Sequence, residues 1–318
     1  MKRRDFLKTS VIAGAAVSFP HLWIKNLQAG ENRFKITVLQ TNDTHSRIDP
    51  FPMDGGRYQG LGGIARRATL VKQVRKENPY TLLLDAGDVL QGTPYFNLFK
   101  GKVEYETMTK CGYQVSTLGN HEFDNGVSML ADALNYAKFD IVNCNYDFGE
   151  TPLSRGVKTF VTTQIGPIKV GITGVGVHFT DLVAASNHKG VAYHKPFKPL
   201  QSVINYLRKD LGCTFIIVLS HLGYKPYQGN PGDTDLAYKV NGIDWIVGGH
   251  SHTFMDQPDV VKSKKGYTTR ILQVGWAGIL VGKTDFVFEG EKLISVNTRM
   301  MPVNETVGEH REIRAMLG

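Results

Sequence analysis

The stretch QVSTLGNHEFDNG, residues 114–126, places a short apolar run directly before an amide, an imidazole and two carboxylates. A tight turn after a strand needs little more than glycine and one small polar residue. Asn120, His121, Glu122 and Asp124 together exceed that requirement. The pattern therefore indicates a buried strand that ends in a functional loop.

Apolar runs alternate with stretches of helical periodicity on both sides of this loop. Strands are predicted at 34–40, 80–88, 214–223 and 244–252, and helices at 63–77, 103–112 and near 127–137. Near-continuous apolar strands are typical of sheets covered on both faces, so the alternation predicts an α/β protein. Residues 268–303 alternate like antiparallel strands, which indicates mixed sheets.

The chain contains no linker rich in proline or serine, so we expect one domain over residues 30–303. Residues 304–318 are predicted to form a polar, partly helical tail. The three cysteines, Cys111, Cys144 and Cys213, stand far apart without a CxxC pair, which argues against a disulfide framework.

The net charge of +8 is concentrated at the amino terminus. Residues 1–29 hold five basic side chains against one acidic side chain, so only about half of the excess lies on the remaining chain. Because no basic stripe is interleaved with aromatic residues, a groove for a nucleic-acid polymer is excluded, whereas a small anionic substrate is compatible.

The amino-terminal sequence MKRRDFLKTSVIAGAAVSFP resembles a twin-arginine export signal. Its apolar stretch of about ten residues is shorter than the ~20 that a membrane-spanning helix needs. We therefore expect residues 1–29 to direct export of the folded protein to the periplasm or cell envelope. An uncleaved signal would leave it membrane-anchored, and no other transmembrane span is expected.

Five predicted strands end in residue types that bind metal ions. Ligands in covered α/β sheets bind beyond the carboxyl ends of the strands, so these loops can meet in one place. The candidate ligands are Asp43, His45, Asp88, Asn120, His221, His250 and His252.

This inventory suits two divalent ions about 3.5–4 Å apart. Asp88 can bridge both ions through its two carboxylate oxygens. The remaining candidates then divide into Asp43, His45 and His252 for one ion, and Asn120, His221 and His250 for the other. Carboxylate, imidazole and amide ligands without thiolate favour Mn, Zn, Fe or Co over a Cys-rich zinc site.

The order of these motifs, D-x-H, GD, GNHE, H and GHxH, resembles the calcineurin-like metallophosphoesterases. The segments LQTNDTH, GDVLQGTP, TLGNHEFDNG, VLSHLG and GGHSH together resemble the 5′-nucleotidase branch over residues 35 to 285. The resemblance implies a four-layer α/β/β/α sandwich of two mixed sheets. It also implies hydrolysis of phosphate monoesters such as nucleotides, by in-line attack of a hydroxide formed at the metal pair.

The resemblance further implies that His121 and Asp124 form a catalytic dyad and that Asn120 and His121 contact the substrate. Asp124 can accept a hydrogen bond from the His121 imidazole and favour its charged form. An imidazolium could stabilise phosphoryl charge or protonate the leaving oxygen. Glu122 is interpreted only as an acid at a helix start.

The family's complete enzymes also hold the nucleobase in a second domain, for which residues 1–318 leave no room. Either a separate chain supplies it, docked near residues 276–318, or the protein acts alone on many phosphate esters. In the second case Tyr95, Phe96 and Phe99 could hold a base, although core packing is favoured for them.

Other reactions on this scaffold stay open: hydrolysis of 2′,3′-cyclic phosphodiesters, of nucleotide-sugar pyrophosphates, or of protein-bound thiosulfonate. A non-catalytic subunit of an exported complex is the alternative of another class. Retention of all seven ligand types and of the dyad disfavours it.

Overall fold

The computed structural model describes residues 33–318, so the predicted signal at 1–29 lies outside the described residues. Within residues 33–318, no helix combines the length and apolar character that crossing a membrane requires.

The first sheet has seven strands in the order β15-β14-β1-β2-β3-β4-β6. Five of these strands are parallel to one another, namely β1, β2, β3, β4 and β6. At one edge, β14 pairs antiparallel with β1, and β15 pairs antiparallel with β14. Their bounds are Arg33–Thr41 (β1), Thr81–Asp85 (β2), Val115–Ser116 (β3), Asp140–Val142 (β4), Val157–Lys158 (β6), Leu280–Glu289 (β14) and Lys292–Pro302 (β15).

The second sheet has six strands in the order β12-β13-β11-β10-β8-β7. Its four inner strands are parallel, and both edge strands are antiparallel to their neighbours. Their bounds are Phe160–Ile165 (β7), Ile168–Gly176 (β8), Phe215–His221 (β10), Trp245–Gly248 (β11), Asp259–Lys262 (β12) and Thr268–Leu272 (β13). Two short strands, Tyr146–Asp147 (β5) and Ala192–Tyr193 (β9), pair separately.

Helices cover the outer face of each sheet. Their bounds are Ile64–Glu77 (α1), Pro94–Phe99 (α2), Lys102–Cys111 (α3), Gly126–Leu134 (α4), Phe197–Lys209 (α5), Asp233–Lys239 (α6) and Arg311–Leu317 (α7). Helix α5 shows why these segments are helical: Leu200, Val203, Ile204 and Leu207 repeat at the spacing of one helix face, and all four are buried.

Alternating side chains along the strands create the layers. In β2, Leu82 and Leu84 point into the core between the two sheets, whereas Leu83 packs against the helices on the first sheet. In β10, Ile217 faces the other sheet, and Ile216 packs with α5 and α6. Because successive residues of a strand point to opposite faces, the result is the predicted four-layer α/β/β/α sandwich of two mixed sheets.

Some strand predictions differ in detail from the structure. The segment predicted at 80–88 as a strand entering a Gly turn is a strand to Asp85, and Gly87 and Asp88 form the turn with left-handed φ angles of 88° and 53°. The strand predicted at 244–252 ends at Gly248. The antiparallel run predicted at 268–303 is correct only for β14 and β15. Strand β13 pairs parallel with β11 in the other sheet, because apolar alternation does not reveal which sheet a strand joins.

The end of the chain packs onto the domain. The His310 amide donates a hydrogen bond to the Ala65 carbonyl of α1, and Ile313 of α7 is fully buried. The tail predicted at 304–318 is therefore helical in part, and its helix belongs to the layer that covers the first sheet.

Candidate metal centre

The carboxyl ends of five strands, three from the first sheet and two from the second, meet at one edge of the sandwich. These strands are β1, β2, β3, β10 and β11, and each leads into one of the predicted ligand loops. Three groups of side chains at this edge place their ligand atoms within 4.8 Å of one another. The groups are Asp43, His45 and His252; His45, Asp88 and His121; and Asp88, His221 and His250.

The first group brings two imidazoles together at one point. The Nε2 atoms of His45 and His252 lie 3.0 Å apart, and His252 Nε2 lies 3.3 Å from Asp43 Oδ1. Asp43 is fully buried, whereas the His252 side chain is 40% exposed. This group contains the three residues that the sequence assigned to one ion.

The group of Asp88, His221 and His250 lies deeper in the protein. His221 is fully buried and its Nε2 lies 3.0 Å from Asp88 Oδ2. His221 Nδ1 lies 2.8 Å from the Ala86 carbonyl, and a carbonyl only accepts hydrogen bonds, so Nδ1 carries the proton. Nε2 faces Asp88 and can act as a ligand once it is unprotonated, the usual arrangement of a metal-binding histidine.

Two polar atoms at this edge fit a cation that is held by the side chains. His45 Nδ1 and Asn120 Oδ1 are buried without a hydrogen-bond partner among the described residues. Buried polar atoms are normally satisfied, and Asn120 is only 3% exposed. An amide oxygen, imidazole nitrogens and shared carboxylates are suitable donors for two divalent ions of the Mn, Zn, Fe or Co type.

The backbone around the ligands is strained. Asp43, His45, Asp88, His250 and His252 all have φ angles between 47° and 75°, in the left-handed region. Each such residue costs about 1–2 kcal/mol relative to right-handed backbone. Strain of this kind is concentrated at functional sites, and here it falls on five of the seven candidate ligands.

His121, which shares a ligand group with His45 and Asp88, forms a close pair with Asp124. His121 Nδ1 lies 2.7 Å from Asp124 Oδ2, and the His121 amide donates to Asp88 Oδ1 at 2.8 Å. Burial lowers the pKa of His121, but the hydrogen bond and charge of Asp124 outweigh it, so that the pKa is raised. The hydrogen bond from the His121 amide therefore holds the dyad against Asp88.

The pKa values of two histidines in the site are shifted in opposite directions. Burial lowers the pKa of His221, but the Asp88 carboxylate outweighs burial and raises that pKa to about 10. Burial and the neighbouring His221 charge lower the pKa of His250 to about 4. A cation between these residues would replace the proton on His221, because metal binding releases protons from its ligands.

The profile of the calcineurin-like phosphoesterase family matches residues 36–254. The chain belongs to this family. It is 32% identical over 310 residues to a snake venom 5′-nucleotidase of Gloydius brevicauda, a match that covers 91% of this chain and 51% of that protein. It is 28% identical over 317 residues to the trifunctional nucleotide phosphoesterase YfkN of Bacillus subtilis, a match that covers 89% of this chain and 20% of that protein.

A 5′-nucleotidase precursor from Thermus thermophilus has a similar structure. The TM-score is 0.80 at 32% identity, and the match covers 89% of this chain and 58% of that one. The predicted family and fold are thus confirmed. The phosphoesterase chain described here spans about half the length of the venom relative.

Sequence reasoning missed the contribution of Glu122 to the candidate metal centre. Glu122 is 1% exposed, and its carboxylate accepts hydrogen bonds from four backbone amides. The donors are the amides of Asp88 (3.0 Å), Val89 (2.7 Å), Leu90 (3.4 Å) and Gly119 (2.5 Å). Glu122 therefore joins the Asp88 loop to the Asn120 loop. The spacing of the motif does not reveal this role, since the donors at Asp88, Val89 and Leu90 lie more than thirty residues before Glu122.

Two further residues fix ligands and were not predicted. Trp276 stacks on the His252 ring at 5.6 Å between centroids and 3° between planes, which orients the most exposed ligand. The Asn42 amide nitrogen donates to Asp43 Oδ2 and to the Gly275 carbonyl, both at 2.6 Å. Asn42 precedes the D-x-H motif directly, so its position was a usable signal.

Proposed function

We propose that this chain hydrolyses phosphate monoesters, with 5′-nucleotides as the main substrate class, at a pair of divalent ions. The supporting observation is that Asp88 belongs to two ligand groups at once, one with His45 and one with His221 and His250. A shared carboxylate is what a two-ion site requires.

Asp43, His45 and His252 would hold one ion, and Asn120, His221 and His250 the other, with Asp88 common to both. Ions bound there would supply a water of lowered pKa and a positive field around the phosphoryl oxygens.

His121 and Asp124 serve as the acid–base pair of this proposal. Because Asp124 pairs with Nδ1, the Nε2 of His121 is available for the substrate. A proton on that atom can stabilise charge on the phosphoryl group or pass to the leaving oxygen. Asn120 and His121 are thus proposed to contact the substrate.

Specificity for nucleotides rests on the relatives and not on a base-binding pocket. Phe96 is buried in the core, and the Tyr95 hydroxyl donates to Asp49 Oδ2 at 2.7 Å. Phe99 contacts Tyr95 at 6.1 Å between ring centroids. We therefore propose that a separate chain completes the nucleobase site, or that selectivity for the base is weak.

A periplasmic or cell-envelope location is part of the same proposal. Its support is the twin-arginine pattern Arg3-Arg4 with the apolar stretch that follows. Fractionation of a tagged protein, with and without an Arg3→Lys/Arg4→Lys change, tests it directly. Retention of both forms in the same fraction would contradict it.

The function is tested by comparing hydrolysis of 5′-AMP, a 2′,3′-cyclic nucleotide, a nucleotide sugar and a simple sugar phosphate, with bound metals quantified in the same sample. We expect 5′-AMP to be cleaved with two ions per chain and no cleavage after chelation. Preferred cleavage of the cyclic diester or the nucleotide sugar would assign the alternative reaction. Metal-loaded protein without activity on any of these substrates, or on a thiosulfonate, would favour the non-catalytic subunit.

A further inference from the structure

A second charged site lies on the helical layer over the first sheet. A groove of about 380 Å³ runs between α1 and α3 beside the start of α7. Its polar lining consists of cationic or titratable side chains, namely Lys72, Arg75, Lys76, Lys110 and His310. Among residues 33–318, no aspartate or glutamate lines it.

This groove is separate from the metal centre. Lys76 and Lys110 lie at the carboxyl ends of α1 and α3, just before the chain enters β2 and β3. The ligand loops follow the opposite ends of those two strands. The groove therefore lies towards the other edge of the sheet, where none of the seven candidate ligands is found.

The positive charges in the groove have no anionic partners. Within the described part of the chain, no ion pair or hydrogen bond is made by the side chains of Lys72, Lys76 and Lys110, and all three residues are exposed. Lys72 and Lys76 are also like charges at i,i+4, a spacing that destabilises a helix by about 0.2–0.5 kcal/mol. The chain thus keeps an unfavourable arrangement that a bound anion would relieve.

Helix ends account for only part of this charge. The carboxyl end of each helix carries about half a negative charge, so the ends of α1 and α3 offset roughly one of four positive charges. Arg75 is fixed in place by hydrogen bonds from Nη2 to the Gly112 carbonyl at 2.7 Å and to Gln114 Oε1 at 3.2 Å. About three positive charges remain to attract a ligand.

The groove offers two further features of a binding site. Its floor contains the buried apolar groups Ala68, Val71 and Cys111. A volume near 380 Å³ also lies within the ~300–1,000 Å³ range of small-molecule sites and exceeds what one phosphate fills.

We propose that this groove binds a small organic anion that carries two or three phosphate groups, independently of the metal centre. The lysines and Arg75 contact the phosphates, and the apolar floor contacts the carbon part. The inference does not depend on the proposed hydrolysis, because it concerns different residues and a binding measurement.

The test uses methylenediphosphonate as a non-hydrolysable probe, in buffer with a tenfold excess of divalent ion so that the metal centre keeps its ions. Calorimetry measures the number of sites, and hydrogen–deuterium exchange measures protection of residues 64–77 and 102–114. The K72Q/K76Q/K110Q variant removes three exposed, unpaired lysines. K195Q/K198Q/K209Q removes three exposed lysines around α5 and is the matched control.

We expect the probe to protect both segments and its affinity for the groove to fall at least tenfold in K72Q/K76Q/K110Q, with the control like the wild type. Both variants should retain the wild-type melting temperature and any hydrolysis of p-nitrophenyl phosphate. Equal binding by K72Q/K76Q/K110Q and wild type, or equal loss in the control, would overturn the proposal. Binding to phosphatidylglycerol vesicles without binding of the soluble probe would also overturn it, in favour of a membrane surface.

Discussion

Replacing Gly119 with alanine tests whether the close fit of the ligand loops holds the candidate metal centre together. A Cβ atom at position 119 would lie 2.2 Å from Asp88 Oδ1, 2.7 Å from the Asp88 amide nitrogen and 2.7 Å from His221 Cε1. Real Cβ atoms keep at least 3.0 Å from such neighbours. Asp88 Oδ1 must therefore move by at least 0.8 Å, and the backbone nitrogen cannot move without its loop.

The displaced atoms belong to two candidate ligands of the same ion pair. Overpacking in a dense interior costs about 1–3 kcal/mol of stability, and a misplacement near 1 Å at a reacting centre can lower the rate about 100-fold. We expect Gly119→Ala to remain folded, to lose at least one ion per chain, and to lose about two orders of magnitude in kcat/KM for p-nitrophenyl phosphate.

Gly308→Ala is the matched control, because no atom lies within 4 Å of its added Cβ and its φ is not left-handed. Metal content by mass spectrometry, urea denaturation and phosphatase kinetics would be measured on both variants and the wild type. If Gly119→Ala keeps two ions and activity within threefold of Gly308→Ala, the close approach of these loops is not what positions Asp88 and His221.

The remaining predictions concern the dyad, the exposed ligand and the ions. In Asp124→Asn the pKa of His121 should fall, because the charge that raises it is removed; the alkaline limb of the pH–rate profile, where protonated His121 is lost, should move to lower pH while metal content is unchanged. Trp276→Ala should weaken binding of one ion about 10-fold, since the ring that stacks on His252 is lost; a metal titration checks this against Tyr227→Ala, a change at a 72% exposed residue. Chelation should lower the melting temperature by roughly 5–10 °C, the effect of removing ligands held at about 100 times their Kd from a protein of this size; an unchanged melting curve would mean that the side chains do not hold ions in the folded state.

The sequence predicts the layers and the ligand loops well because both depend on local patterns. Leu82, Leu83 and Leu84 read as one buried strand, and each leucine is buried in the structure, where neighbours face opposite layers. The residue types after each strand also identify the chemistry, since carboxylates, imidazoles and an amide at successive strand ends have few other uses. The family resemblance extended this to the four-layer fold, which apolar periodicity alone does not specify.

Long-range packing is the part that the sequence did not reveal. Glu122 was interpreted as an acid at a helix start, yet it binds amides from the Asp88 loop across more than thirty residues. Trp276 follows β13, which was expected to continue an antiparallel run, and its stacking on His252 depends on that strand joining the other sheet. Such contacts depend on which elements become neighbours, and only the assembled fold decides that.

The left-handed backbone at the ligands links the fold to the proposed chemistry. A strained residue persists only where surrounding contacts over-determine it. Here the amides of Asp43 and His45 donate to the Gly87 and Asp88 carbonyls at 2.9 and 3.0 Å, so the first two ligand loops restrain each other. The His250 amide donates to both Asp43 carboxylate oxygens at 3.0 Å, which ties the late histidine loop to the first. Each of these hydrogen bonds has the backbone amide of a ligand residue as its donor, so a substitution that moves one loop should disturb ligands on the others. The seven candidate ligands are therefore expected to respond to mutation as one cooperative unit, with double variants less than additive in their loss of metal.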